Sequence, residues 1–378
     1  MSEVYIVGAD MIPFGRYPGR TPAQLGGEAA LMALDDAGLA ISDVGTVYTG
    51  SSFTAGASMS QQIMREIGQT GIPCVNVSNA CASGATAVRE AFIAVKSGLY
   101  DVALAIGTEM NPHGMLGGGP QKGLTPEGIF GSGSMPAVFA ECGIVHSEKY
   151  GTTMEQFAKI AVKNRKHGSL NPKAKHQTEA SLDEVLNSEM IAYPLTKLMC
   201  SANVDGAAAV VIVSEKKAKE LGMGRAVRIA GSGLASDPWE SHNPELFDPN
   251  SVTRLAAAAA FEMAGMGPED LDLVELHDCF ATAEMLHYEN LGLCGEGEAA
   301  RLIEDGEVLL GGRIPVNVSG GLIAKGHPIG ATGVANVVEI VEHLRGEAGK
   351  RQVEGARVGL THVLGFGTSC GVHVLQKA

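Results

Sequence analysis

Val75-Asn76-Val77-Ser78-Asn79-Ala80-Cys81-Ala82-Ser83-Gly84-Ala85-Thr86-Ala87-Val88 carries most of the information about how this chain folds. A short β-branched run passes through small residues into a helix-forming segment, the pattern of a strand feeding a helix. The same construction returns later: Val316-Asn317-Val318-Ser319 repeats the strand-like run, and Gly330-Ala331-Thr332-Gly333-Val334 repeats the helix start Gly84-Ala85-Thr86-Ala87-Val88. Cys81 stands three residues before Gly84, and His327 three residues before Gly330. An internal duplication thus sets a thiol and an imidazole at matched points of two like halves.

Working outward, strand-like and helix-like segments alternate: Val4 to Val7, then Ala23 to Ala37; Val75 to Ser78, then Gly84 to Lys96; then Val102 to Gly107. That alternation predicts an α/β fold with layered helices and sheet. The rhythm breaks between Asn111 and Leu198, where Gly- and Pro-containing segments surround a charged helical piece, Met154 to His167. This reads as an insertion covering one face. Strand-like Ala207 to Val213 and helix-like Glu215 to Leu221 restore the pattern, and Gly222 to Gly224 forms a joint. The expected organisation is a first half over 1–224, with an inserted loop domain at about 111–198, and a second half over 225–378.

Bulk properties exclude several classes. The 378 residues suffice for two domains or one duplicated unit with a large core. A formal charge of −14 opposes general binding to nucleic acid or an anionic membrane. The seven cysteines are scattered and form no CxxC pairs, so they read as thiols of a reducing compartment. The N-terminus shows no basic leader with a long apolar core, and nowhere do eighteen apolar residues run together. A cytoplasmic location is expected, with no membrane and no nucleic-acid partner.

Cys81 precedes a long amphipathic helix, whose positive end favours a thiolate and makes this sulfur a nucleophile. His327 lies in Lys325-Gly326-His327-Pro328-Ile329-Gly330, where glycine and proline fix the loop at the matching helix mouth. There an imidazole can take the thiol proton or donate to an oxyanion. A third cluster, Glu275-Leu276-His277-Asp278-Cys279-Phe280-Ala281, follows a strand-like run, Leu271 to Leu276, and enters a helix, Ala283 to Leu291. Adjacent His, Asp and Cys cannot all converge on one ion, so no metal site is expected. Val363-Leu364-Gly365-Phe366-Gly367 either supplies a backbone N–H to a carbonyl oxygen or is a plain turn before the last strand. The basic run Lys163, Arg165, Lys166, His167, Lys173, Lys175 and His176 reads as a solvated face, with a nucleotide-phosphate anchor as the rarer alternative.

Taken together, Asn79-Ala80-Cys81-Ala82-Ser83-Gly84, His277-Asp278-Cys279-Phe280 and Gly326-His327-Pro328-Ile329-Gly330-Ala331-Thr332-Gly333 resemble the three ordered motifs of the thiolase superfamily. Ser201-Ala202-Asn203-Val204-Asp205-Gly206-Ala207-Ala208 resembles the segment that closes the thiolase loop domain. The His-Asp-Cys-Phe form is similar to the sterol-carrier-protein-like and archaeal members. Many other thiolases carry Asn-Glu-Ala-Phe there and a terminal Cys-x-Gly loop, where this chain has Val363-Leu364-Gly365.

The resemblance implies a five-layered αβαβα fold of two similar halves with a loop domain inserted in the first. It implies that Cys81 attacks a 3-oxoacyl-CoA and carries the acyl group, that His327 activates it, that Cys279 moves the proton of the departing enolate, and that His277 completes the first oxyanion site. Backbone N–H groups of Cys81 and Gly365 would form the second. Cys370 lies too far along to replace Cys279. Coenzyme A is implied as a substrate, with no tightly bound cofactor, and Lys163, Arg165 and Lys166 are the weak candidates for its contacts. Also implied are a homodimer or dimer of dimers, an accessory zinc-ribbon/OB-fold subunit, and unusual acyl-CoA substrates such as benzoylsuccinyl-CoA. Ketoacyl synthases share the fold but lack a second catalytic cysteine. A thiolase-like aldolase or an acyl-CoA/lipid-binding subunit is the alternative. Phe130 to Cys142 reads equally as an acyl-pocket wall or a dimer contact.

Overall fold

A computed structural model describes residues 3–53, 58–112, 134–238, 249–365 and 369–378. The β-branched and small apolar runs become eleven strands: β1 (Val4–Met11), β2 (Thr46–Gly50), β3 (Cys74–Val77), β4 (Val102–Met110), β5 (Met190–Ala192), β6 (Leu195–Thr196), β7 (Asp205–Ser214), β8 (Val227–Ser236), β9 (Leu273–Glu275), β10 (Val358–Gly365) and β11 (Ser369–Lys377). Nine of them hydrogen-bond in the order β3-β2-β4-β7-β1-β8-β11-β10-β9, and β5 pairs with β6 apart from the rest.

That order is a mirror. From the central pair of β1 and β8, each half continues through its last strand, β7 or β11, then β4 or β10, then β2 or β9. In each half the strand next to the centre runs antiparallel and the outer ones run parallel. The junction is narrow, joining only Tyr5 to Arg228 and Ile6 to Val227.

One difference separates the copies. Val75-Asn76-Val77 is a full edge strand on β2, whereas the second Val-Asn-Val-Ser run makes a single parallel bridge, Val316 to Val274. Asn317 takes a left-handed φ of 54° and bends the chain away. Its side chain compensates by accepting from the Leu276 N–H (2.9 Å) and donating to Glu284 (3.0 Å).

Strict period-two burial makes the layers. Along β7, Ala208, Val210 and Ile212 enter one apolar cluster, while Ala207, Ala209, Val211 and Val213 enter another on the opposite face. The first cluster holds two helices side by side, Ser83–Lys96 and Thr332–Arg345, which touch strands of both half-sheets. The second holds the outer helix Pro22–Ala37. On the far side, Val252, Ala256 and Ala260 of helix Pro249–Ala264 pack with Val372 and Val374 of β11. The result is the expected helix–sheet–helix–sheet–helix stack.

The inserted segment contributes helices Met135–Tyr150, Met154–Ser169 and Leu182–Leu186, and it packs against the second half. Phe157 and Ala161 share a cluster with Phe280, Tyr288 and Leu322. A buried ion pair, Lys163 to Glu284, ties insertion to core.

The central helices meet backbone to backbone. A Cβ on Gly333 would lie 2.2 Å from the Ala85 nitrogen, and one on Gly84 would lie 2.8 Å from the Gly330 oxygen. Only glycine permits that approach. Gly333→Val should therefore cost roughly 3 kcal/mol or more, or prevent folding, because backbone cannot yield as a side chain does. Chemical denaturation would check this; a change under 1 kcal/mol would contradict it.

Candidate active site

The contact between those helix starts is also a contact between the loops that precede them. In the first, Ala80 adopts a left-handed φ of 48°, a conformation costing a β-carbon residue of order 1 kcal/mol. The turn is held by Ser83, whose hydroxyl accepts from the Asn79 N–H (2.9 Å) and donates to the Ala80 carbonyl (2.6 Å). Cys81 sits at its apex, half-buried.

His327 is fixed on three sides. Its N–H donates to the Ala202 carbonyl (2.9 Å), its carbonyl accepts from Asn111 Nδ2 (2.7 Å), and its ring Nδ1 lies 2.7 Å from the Thr332 hydroxyl. Thr332 spends its own proton on the Pro328 carbonyl (3.0 Å), so it accepts from His327. That assigns the His327 proton to Nδ1 and leaves Nε2 with an available lone pair.

The His277–Phe280 turn is pinned separately. The His277 N–H donates to His362 Nδ1 (3.3 Å), and Asp278 accepts from the Leu322 (2.7 Å) and Ile323 (3.1 Å) N–H groups and from Asn164 (2.9 Å). The Cys279 carbonyl accepts from the Ser201 N–H (2.9 Å). Residues 201 and 202 therefore hold both second-half loops.

These supports bring Cys81 Sγ and one ring nitrogen each of His277 and His327 within 4.8 Å of one another. The two imidazoles meet edge to face, with centroids 5.2 Å apart. Gly365 closes another side: a Cβ there would come within 2.3 Å of the Asn79 oxygen and 3.1 Å of the Ala82 nitrogen. Phe366 and Gly367 lie outside the described residues, as do residues 130–133 of the Phe130 to Cys142 segment.

Burial sets the protonation states. It pushes His327 down to about 3 and His277 well below its ordinary value, the latter helped by neighbouring His327. Both rings are neutral at pH 7 and able to accept protons. Burial, then the nearby Cys81, drives the Cys279 thiol well above its usual range, so it rests as S–H, a proton donor.

Residues 4–216 match the family model described as Thiolase, N-terminal domain, and residues 236–377 match Thiolase C-terminal domain-like. The chain belongs to the thiolase family. An acetyl-CoA acetyltransferase of Methanothermobacter thermautotrophicus is 38% identical, with full coverage of both chains. The Thauera aromatica benzoylsuccinyl-CoA thiolase subunit BbsB is 37% identical over 97% of this chain and 95% of its own. Bovine sterol carrier protein 2 is 40% identical over 97% of this chain and 70% of its own. A solved structure titled Ltp2-ChsH2(DUF35) aldolase superposes with a TM-score of 0.85 at 27% identity, covering 99% of this chain and 98% of that one. This thiolase is an enzyme of the acyltransferase type.

Among the suggested coenzyme A contacts of this thiolase, Lys163 is withdrawn from solvent. Its ammonium is buried against Glu284 and the Val316 carbonyl (2.7 Å) and is not offered to a phosphate. Arg165 donates to Thr178, and Lys166 is exposed. Cys370 lies in β11, its thiol directed at Thr253. Sequence reasoning missed Asn111, Thr332 and His362. Only Thr332 left a signal, as the repeated threonine of Gly-Ala-Thr.

The same burial that neutralises His327 holds His167 and His287 at about 3, and His343 and His373 at about 4. Unfolded, each binds a proton near pH 6.5, so below that pH the unfolded state binds more protons and stability falls, down to the folded values. Each histidine contributes roughly 1 kcal/mol per pH unit. Melting temperature should drop steeply from pH 6.5 to pH 5; a flat profile would rule out five neutral buried imidazoles.

Proposed function

We propose that this thiolase cleaves a 3-oxoacyl-CoA with coenzyme A, or runs the reverse Claisen condensation, through an acyl-Cys81 intermediate. The reading is carried by the meeting of the Cys81 sulfur with His277 and His327 nitrogens inside 4.8 Å. His327 Nε2 takes the thiol proton as sulfur attacks the 3-oxo carbon. The C2–C3 bond breaks, its electron pair leaves as the enolate of a CoA ester, and the Cys279 thiol gives C2 a proton. Protonated His327 and neutral His277 donate to the enolate oxygen. A second CoA thiol then gives its proton to the Cys279 thiolate and attacks acyl-Cys81. His327 returns its proton to the departing Cys81 sulfur, and every group is restored.

Backbone N–H groups of Cys81 and Gly365 would hold the tetrahedral oxyanion, a donor of this kind being worth about 3 kcal/mol. The tight approach of Gly365 to the Asn79–Ala82 turn supports that pairing. Arg165 and Lys166 remain for the phosphates of coenzyme A, which acts as a substrate with no tightly bound cofactor. Seven free cysteines suit a reducing, cytoplasmic setting. Among the described residues no helix is long and apolar enough to cross a membrane.

A homodimer is supported by β3, a sheet edge whose Val75 is 39% exposed and which can accept another strand. An accessory subunit is suggested by the name of the Thauera aromatica relative, a benzoylsuccinyl-CoA thiolase subunit. Likeness to a solved aldolase favours a second reading, cleavage without a CoA acceptor.

Cys81→Ala should take up no acyl mass from an acyl-CoA. Cys279→Ala should still acylate from a simple thioester yet lose at least about 100-fold in thiolysis of a 3-oxoacyl-CoA. Intact-mass spectrometry and thioester absorbance read the two; undiminished thiolysis by Cys279→Ala would remove its role, and turnover without added CoA would favour the aldolase. For the oligomer, Val75→Lys should lower the mass seen in sedimentation, and an unchanged mass would exclude pairing through β3.

A further inference from the structure

The sulfur and the two imidazoles described above form a second kind of site. We infer that the same three side chains bind a zinc ion, with Cys81 Sγ, His277 and His327 as ligands, and that free Zn²⁺ thereby holds the enzyme inactive. The inference rests on the catalytic reading only in predicting inactivation; the binding site stands on the geometry.

Cys and two His are the donor set zinc prefers, and the ligand atoms of a tetrahedral zinc lie about 3.3 to 3.7 Å apart. Here the three atoms already fall within 4.8 Å of one another, so little more than 1 Å of side-chain rotation completes the shell. The imidazoles come from different loops, which lets them converge as the contiguous His277-Asp278-Cys279 run cannot.

Their surroundings suit a metal as well. His327 gives its Nδ1 proton to Thr332, the outer hydrogen bond that orients a metal-bound imidazole through its other nitrogen. His277 Nδ1 is buried and has no hydrogen-bond partner among the described residues, so the ring can turn without breaking one there. Asp278, the nearest carboxylate in sequence, is committed to two backbone N–H groups and Asn164. A shell of one sulfur and two nitrogens selects Zn²⁺ over Mg²⁺ or Ca²⁺, which require oxygen ligands.

On binding, the Cys81 S–H bond breaks, its proton passes to buffer, and the sulfur lone pair enters the Zn–S bond; nothing is oxidised. A fourth position remains for water. Since an S-acylated cysteine offers no thiolate, acylation and zinc binding are mutually exclusive.

The test uses the full chain, freed of metal and without coenzyme A. Zinc chloride is titrated against a chromophoric zinc indicator, and alkylation of Cys81 by iodoacetamide is followed by peptide mass. Expected are one zinc per chain, a loss of Cys81 alkylation rate of at least tenfold that EDTA reverses, and no effect of magnesium chloride. Cys81→Ser and His327→Asn should each weaken zinc binding at least tenfold. Alkylation protection in the unmutated chain needs no variant to fold. Unprotected Cys81, or zinc affinity unchanged in both variants, would overturn the site. If zinc binds as stated while Cys81 takes up no acyl group, the acyl-transfer reading falls and the metal site stands. If acylation proceeds and zinc does not protect, only the metal site falls.

Discussion

Backbone contact between the starts of the two central helices is the constraint on which this molecule depends. Gly84 against Gly330 and Gly333 brings the helices closer than any β-carbon would allow. The loops entering those helices carry Cys81 and His327, so the separation of this thiol and this imidazole is set by main chain on both sides. Main chain held by helix hydrogen bonds is stiffer than any pair of side-chain rotamers, and stiffness is what an oriented reaction needs.

Desolvation then decides what the side chains are. A water-filled cleft would leave imidazoles that titrate near neutrality; burial keeps His277 and His327 uncharged and Cys279 protonated. For the proposed reaction, that leaves a lone pair at His327, a proton at Cys279 and no net charge on the three groups. The desolvation cost is offset by fixed hydrogen bonds to Thr332, Asn111 and Asp278, which keep the loops from opening toward water.

The duplication was legible because the strand, the turn and the helix start are all local and repeat in order. Cys81 and His327 followed from it, while the cluster at His277 was legible on its own as three functional side chains between a strand-like run and a helix. The second Val-Asn-Val-Ser run read as a strand but forms only a bridge, since Asn317 satisfies a neighbouring backbone with its side chain and leaves the ladder. Lys163 read as part of a solvated basic run, yet its partner Glu284 lies 121 residues away, and long-range burial leaves no trace in local pattern. Asn111 and His362 were invisible for the same reason: each is a lone polar residue whose partner is 216 or 85 positions distant.

Thr86 and Thr332 are the same residue in the two copies, and both return a hydrogen bond to the carbonyl four residues before. What each hydroxyl receives differs: the first takes the amide of Asn79, the second the ring of His327. A chain with identical loops would offer two sulfurs or two imidazoles facing one another and no complementary pair. Division of labour in this fold is therefore a matter of asymmetry at one loop position, laid over a scaffold that remains symmetric beneath it.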